Sequence, residues 1–414
     1  MLPRNLQARP GNRTDTCEHV RKALLQFANG SPMTLNPPAP ARVGDTLDSV
    51  GTPSLLIDID AFEANLRETA AYVARHGVAL RPHAKAHKSS AIARRQLDAG
   101  AAGICCQKLS EAYPFAAAGV GDIHVTNEFV GKDKLAMAIE LAAHVRLSVC
   151  VDAVSQVCAL GEAASSAGVT INVLPEIDVG QNRCGVTTPT ALLELVDAIG
   201  GQSNLRFAGL QAYHGGAQHI VDWVARRDMA NRVAERTAAF ILALEARGIR
   251  CARVTGGGTG TFEFDVASGV YTEVQPGSYV IMDGEYGGLE WNGAVRPRHS
   301  LFVLSTVMSA THPGMVVCDV GLKGLAVDAG LPREVAWSSE WQGPALAYVS
   351  ANDEHGKLQI VGTPGAETSH LLGKRVLVTP GHCDPTANLY DQYICFRGDR
   401  VEEIWLIDAR GLSR

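Results

Sequence analysis

No uninterrupted apolar run in this chain approaches the ~18 residues that a membrane-crossing helix requires, so no segment reads as one. Basic charge is not in excess either. Lys and Arg number 37 against 43 Asp and Glu, a formal net charge of -6, which leaves no electrostatic footprint for nucleic acid. The ten cysteines never take the paired C-x-x-C spacing of a zinc or redox site, and sit mostly in apolar runs, as Cys105, Cys106, Cys150 and Cys318 do. That distribution reads as buried, reduced thiols of a cytoplasmic protein and excludes a disulfide framework. No His-x-His pair follows an early strand, which counts against a metal-only hydrolase built on a barrel.

What is present is an ordinary globular composition, 46% hydrophobic and 19% charged over 414 residues, long enough for a barrel plus an appendage. Residues 1–45 differ from the rest, being Arg-rich and acid-poor and then proline-rich in "SPMTLNPPAPARVGD". They read as a disordered leader, or as an upstream start with Met33 the working initiator; a transit peptide would share the arginine bias. From residue 46 to 295, short apolar runs alternate with Ala-rich helical stretches. Eight candidate strands ("VALRPH", "GICCQ", "DIHVTN", "LSVCVD", "INVLPEID", "FAGLQAY", "ARVTGGG", "TEVQPGSYVIM") over about 230 residues predict a TIM-type α/β barrel. From 296 to 414 the pattern becomes strands and turns without a good helix, which predicts a separate all-β domain.

Polar residues gather at the carboxyl ends of the barrel strands, the face on which barrel active sites are built. Lys85 follows the first strand, Gln107 the second, Thr126 and Asn127 the third, Asp178 and Arg183 the fifth, Tyr213 and His214 the sixth. The octapeptide "RPHAKAHK" has no acidic counterweight, so burial and like charge are expected to lower the Lys85 pKa and prepare a neutral amine for Schiff-base chemistry; a solvated basic loop is the plainer alternative. Gly257, Gly258 and Thr259 of "GGGTG" would present backbone N–H groups and a hydroxyl to a phosphate, although a tight turn alone would explain the glycines. A strand-end lysine together with a phosphate cradle points to pyridoxal 5'-phosphate. Ser278 and Tyr279 of "PGSY" are placed to extend the cradle, Arg183 to meet the ring hydroxyl, and Tyr213 the pyridine nitrogen. In the β domain, His382 and Asp384 of "PGHCDPT", taken as an extended segment, would face one way and form a two-ligand site for Mn²⁺, Mg²⁺, Co²⁺ or Zn²⁺. A simple turn, with Asp384 accepting backbone hydrogen bonds, is the competing account.

The motifs "TPSLLIDIDAFEANL", "RPHAKAHK", "GICCQKLSEA", "EIDVGQNRCGV", "LQAYHG", "GGGTG", "PGSYVIMD", "NDEHG" and "GHCDPT" together resemble the D-threonine aldolases and 3-hydroxy-D-aspartate aldolases, within the group that includes D-serine dehydratase. The resemblance runs from about residue 47 to the C-terminus. It implies a fold type III pyridoxal-phosphate enzyme, an alanine racemase-like barrel followed by a β domain, working as a homodimer on a small D-3-hydroxy-amino acid. It implies that Lys85 holds the cofactor and that His382 and Asp384 hold the metal. Dehydratases of the group tend to carry Cys where Asp384 stands, so the carboxylate points to the aldolase branch. The expected reaction is cleavage of D-threonine to glycine and an aldehyde, with a metal-bound water or His355 of "NDEHG" as base. Alternatives are cleavage of 3-hydroxy-D-aspartate to glycine and glyoxylate, dehydration of D-serine or 3-hydroxyaspartate, and a non-catalytic cofactor carrier.

Overall fold

The computed structural model of the chain describes residues 37–338 and 343–414. The transit-peptide and Met33 readings of the leader fall outside these residues. The end of the expected leader is not loose. Gly44 N–H donates to Val401 O at 2.8 Å and Val401 N–H to Asp45 O at 2.9 Å, while Ala41 is buried, so residues 41–45 belong to the folded unit.

The barrel begins later than residue 46, contrary to expectation. Strand β1 (Ser54–Asp58) lies within the stretch assigned to the barrel, yet it pairs with no barrel strand. The barrel is made of β2 (Ala79–Leu80), β3 (Ile104–Cys106), β4 (Asp122–Val125), β5 (Arg146–Val151), β6 (Ile171–Pro175), β7 (Leu205–Phe207), β8 (Leu210–Ala212), β9 (Val254–Gly256) and β10 (Glu273–Val274). All their ladders are parallel. They form two arcs, β3-β4-β5-β6-β7 and β2-β10-β9-β8, which isolated bridges close at His83↔Cys105 and Glu176↔Gln211. Each of the eight expected strands is present. The sixth is split into β7 and β8 at Gly209, whose φ of +140° suits glycine and where a Cβ would stand 2.0 Å from Arg253 O. Strands such as β3 are buried throughout because helices cover the outside and side chains fill the inside.

Helices between the strands start where the sequence supplies a cap. Asp58 accepts from Ala61 N–H at the head of the helix Ile59–Arg75, and Thr188 caps Pro189–Gly200 with proline in its first turn. The long helix Trp223–Glu245 carries Arg226, wholly buried, with no carboxylate among the described residues hydrogen-bonded to it. Its guanidinium donates to the carbonyls of Gly260 (2.9 Å), Ile220, Val221 and Glu290, tying the glycine-rich loop to the helix.

The remaining strands are β11 (Leu301–His312), β12 (Met315–Cys318), β13 (Val335–Trp337), β14 (Leu346–Ala351), β15 (Gly356–Ile360), β16 (Arg375–Val378), β17 (Gln392–Arg397) and β18 (Arg400–Leu406). Their sheet runs β14-β15-β12-β11-β1-β17-β18, with β16 on β11 and β13 on β16. β1 sits in its middle, antiparallel to β11 and parallel to β17. Among the described residues the chain therefore passes first through the β domain, crosses into the barrel through the helix Ile59–Arg75, and returns at residue 301. One continuous core of buried side chains runs through both parts.

Candidate active site

The carboxyl end of the barrel opens into a cavity of about 200 Å³ lined by residues from both domains. Of the sequence-predicted residues, Lys85, Gln107, Thr126, Arg183, Tyr213, Gly257, Gly258, Thr259, Ser278, His382 and Asp384 line it, and Asn127, Asp178, His214, Tyr279 and His355 do not.

Lys85 sits in the 3-10 turn Ala84–Ala86 just beyond β2. The buried His83 caps that turn, its Nδ1 accepting from Lys85 N–H at 3.4 Å, so its Nε2 carries the proton toward Thr126 Oγ1 at 2.9 Å. Burial, with Lys85 and His124 nearby, holds the His83 pKa well below the usual histidine value. Lys88 is committed elsewhere. It meets Glu111 Oε1 at 2.8 Å and Leu412 O at 3.2 Å, away from the cavity.

The expected lowering of the Lys85 pKa is not what the folded chain shows. Burial does oppose the charge, but Asp384, with Oδ2 4.0 Å from Nζ, and Tyr213 outweigh it, and the pKa is raised. The basic octapeptide lacks a counter-ion only locally; the fold brings one from the other domain.

The His382–Asp384 segment also differs from the extended conformation expected of it. His382 is extended (φ −140°, ψ 122°) and caps the short helix Cys383–Ala387, so Asp384 lies in a first helical turn. Both side chains nevertheless reach the cavity. His382 Nδ1 donates to Asp328 Oδ2 at 2.7 Å, which leaves Nε2 for a ligand. Burial opposes the imidazolium, yet the Asp328 hydrogen bond and the charge of Asp384 carry the His382 pKa above its usual value.

Tyr279 is fully buried, with its hydroxyl 3.5 Å from Gln96 Nε2. Ser278 and Tyr279 share a 3-10 turn, so the two successive side chains diverge and only Ser278 faces the cavity. His355 lies exposed in the turn between β14 and β15. Arg183 is 3.5 Å from the buried Glu176 and lies over the Tyr213 ring at 5.5 Å. Burial and the neighbouring Glu128 raise the Glu176 pKa.

Four further residues of interest were missed in the sequence. His219 and Glu285 line the cavity together, His219 Nδ1 donating to Glu285 Oε1 at 2.7 Å. Tyr286 lies beside them, its ring 6.3 Å from that of His219. Asp328 is the fourth.

Pyridoxal phosphate fits these residues. The Thr259 hydroxyl is buried with no hydrogen-bond partner, an acceptor-seeking group at the cavity wall. The N–H groups of Gly258 and Gly260 are already taken by Thr261 Oγ1 and Gln218 Oε1, so these glycines serve mainly close approach. A Cβ on Gly258 would meet Gln218 Oε1 at 2.6 Å. A divalent ion fits the imidazole and carboxylate of His382 and Asp384, which leave most of its coordination sphere open. Another group of potential donors among the described residues, Glu128, Asp152 and Cys184, lies elsewhere, and Asp152 there accepts from Gly185 N–H and Gln156 Nε2.

Fold and cavity define a pyridoxal-phosphate enzyme of the alanine racemase type. Residues 57–284 match the family described as "Alanine racemase, N-terminal domain", and residues 300–396 the "Putative serine dehydratase domain". The chain is 48% identical to the D-threonine aldolase of Arthrobacter sp. over 377 residues, 91% of this chain and 97% of that protein. It is 37% identical to the 3-hydroxy-D-aspartate aldolase of Paracoccus denitrificans (strain Pd 1222) over 387 residues, 90% of this chain and 95% of that protein. The crystal structure of D-threonine aldolase from Filomicrobium marinum superposes with a TM-score of 0.85 at 43% identity, covering 91% of this chain and all of that one. The chain belongs to the D-threonine aldolase family of aldehyde-lyases.

Proposed function

We propose that this protein is a pyridoxal-phosphate- and divalent-metal-dependent aldolase that cleaves D-threonine, and kindred D-3-hydroxy amino acids, to glycine and an aldehyde. The observation that carries the reading is the meeting of Lys85 with the His382–Asp384 pair in one cavity, Nζ 4.0 Å from Asp384 Oδ2. Pyridoxal phosphate, held by Lys85 and cradled by Thr259, Ser278, Gly257 and Gly258, supplies an electron sink for the Cα–Cβ bond. Mn²⁺, Mg²⁺, Co²⁺ or Zn²⁺ on His382 and Asp384 supplies Lewis acidity for the substrate's β-hydroxyl.

The chain's own residues supply the rest. Glu285 ties up His219 Nδ1, so Nε2 is the basic atom facing the cavity and takes the hydroxyl proton. His219 has this role rather than His355, which does not line the cavity. Arg183, beside Glu176 and over the Tyr213 ring, would stand next to the cofactor ring, with Gln107 on the wall. His83, neutral and bonded at both nitrogens, orients the Lys85 turn without adding charge.

The cavity favours an uncharged side chain on Cβ. Among the described residues that line it, the ammonium and guanidinium groups are Lys85 and Arg183, one reserved for the cofactor and the other engaged with Tyr213 on the side expected for the cofactor ring. No further ammonium or guanidinium is offered to the distal carboxylate of 3-hydroxy-D-aspartate. An unpaired carboxylate brought into such a site loses at least ~1–3 kcal/mol, so kcat/KM for D-threonine is expected to exceed that for either 3-hydroxyaspartate by about tenfold or more. Product assays separate the cases: acetaldehyde marks threonine cleavage, glyoxylate hydroxyaspartate cleavage, and ammonia release dehydration. Faster release of glyoxylate, or of ammonia, would reverse the substrate assignment. No release of any product with Mn²⁺ and pyridoxal phosphate supplied would leave a cofactor carrier.

The working form is a homodimer, in which the partner's β domain closes the cavity mouth. Lys85 remains 40% exposed in the single chain, although chemistry on its amine needs water excluded. Light scattering during assay should find a dimer, and full activity of a monomer would contradict this. A cytoplasmic setting fits the nine described cysteines, all of them free thiols.

A further inference from the structure

Asp283 has no place in the chemistry above, yet its side chain is entirely buried and, among the described residues, forms no salt bridge. It lies beyond the last barrel strand and the 3-10 turn Ser278–Val280, one residue before the short helix Gly284–Gly287. Its two carboxylate oxygens serve two different segments. Oδ1 accepts from Tyr286 N–H at 2.9 Å, and Oδ2 accepts from Cys383 N–H at 2.8 Å. Tyr286 and its neighbour Glu285 form one wall of the cavity, and Cys383 is the residue between His382 and Asp384. Two backbone bonds run beside this clamp, from Gly284 N–H to Pro380 O at 2.8 Å and from Glu285 N–H to Gly381 O at 3.1 Å. A full carboxylate, buried where either oxygen would be costly to leave unpaired, is an expensive way to hold a turn unless the position of that turn matters.

We propose that Asp283 is a positioning residue for the metal site: it locks the His382–Asp384 turn to the cavity wall that carries Glu285, so that ion and base keep a fixed separation. The proposal rests on the reading of His382 and Asp384 as metal ligands. Both bonds require an acceptor. Asparagine can satisfy one N–H but turns its own NH₂ group against the other, so the turn loses its hold while volume is kept. Residues that orient metal ligands typically change metal affinity by about 10–100-fold when altered.

The test uses the full-length, cofactor-loaded enzyme, with bound Mn²⁺ measured from the electron paramagnetic resonance signal of the free ion. Asp283→Asn is expected to weaken Mn²⁺ binding about tenfold or more. Cofactor affinity and the visible cofactor band should stay within about twofold, and saturating Mn²⁺ should restore much of kcat, a split that generic destabilisation does not produce. Should that variant fail to fold, Cys383→Pro removes the same bond from its donor side. Cys383 is the first helical position, where proline is tolerated, and His382 already has the extended backbone that precedes proline. Unchanged Mn²⁺ affinity in these variants, with His382→Ala abolishing it, would overturn the role of Asp283 and leave the metal site standing. Unchanged Mn²⁺ affinity in His382→Ala would overturn the ligand assignment and the proposal with it.

Discussion

Lys85→Ala is expected to abolish the visible band of the lysine-linked cofactor and to lower turnover by about 10⁴-fold or more, the scale on which removing a covalent catalytic group acts. Lys88→Ala should leave both in place. The two lysines are three residues apart in a segment with no acid in its sequence, and the fold separates them completely. Lys85 projects into the cavity, while Lys88 is spent on Glu111 and on the carbonyl of Leu412 near the C-terminus. Losing Lys88 should therefore appear as stability, on the order of 1–3 kcal/mol, because Glu111 is buried and would keep only its bonds from the N–H groups of Gln107 and Lys108. Borohydride reduction of the cofactor-loaded enzyme followed by peptide mapping reads the assignment directly. Label on Lys88, or a surviving band in Lys85→Ala, would sink it.

The barrel was legible in the sequence because its strands are short, apolar and separated by helices, and one period repeats along the chain. β1 was not. "SLLID" is as apolar as a barrel strand, and its partners, β11 and β17, lie more than 240 residues away. Local pattern carries no information about such pairing. The same limit governs the site. Lys85, Thr259, His382 and Asp384 stand in motifs whose neighbours already suggest their chemistry. His219, Glu285 and Asp328 acquire meaning only through partners that the fold supplies: Glu285 for His219, and His382 for Asp328. Tyr279 differs for another reason: in its 3-10 turn Ser278 takes the cavity side, and the Tyr279 ring turns into the core toward Gln96. The direction of the Lys85 pKa shift is hidden from the sequence because its counter-ion, Asp384, comes from the other domain.

Removing the metal is expected to stop cleavage while leaving fold and cofactor intact. If the ion only braced the β domain, its loss should lower melting temperature and activity together. The described residues argue otherwise. His382 and Asp384 offer one nitrogen and one carboxylate, whereas structural sites usually close with four protein ligands. The carboxylate of Asp328 bonds the other nitrogen of His382, as residues behind catalytic metal ligands do. Backbone bonds hold the turn without any ion: Gly284 and Glu285 donate to Pro380 and Gly381, and Thr386 Oγ1 donates to His382 O at 2.7 Å. Exhaustive EDTA treatment should therefore leave the melting temperature within a few degrees and the cofactor band unchanged, while D-threonine cleavage falls by about two to three orders of magnitude, the scale of losing one electrostatic stabiliser of a developing oxyanion. Adding Mn²⁺, Co²⁺ or Mg²⁺ should restore it, to extents that rank the native metal. Asp384→Ala should mimic the chelated enzyme and resist rescue, because it removes one of the two ligands and also the counter-ion 4.0 Å from Lys85. Undiminished cleavage by the metal-free, cofactor-loaded enzyme would remove the ion from the reaction and leave His382 and Asp384 as parts of a turn.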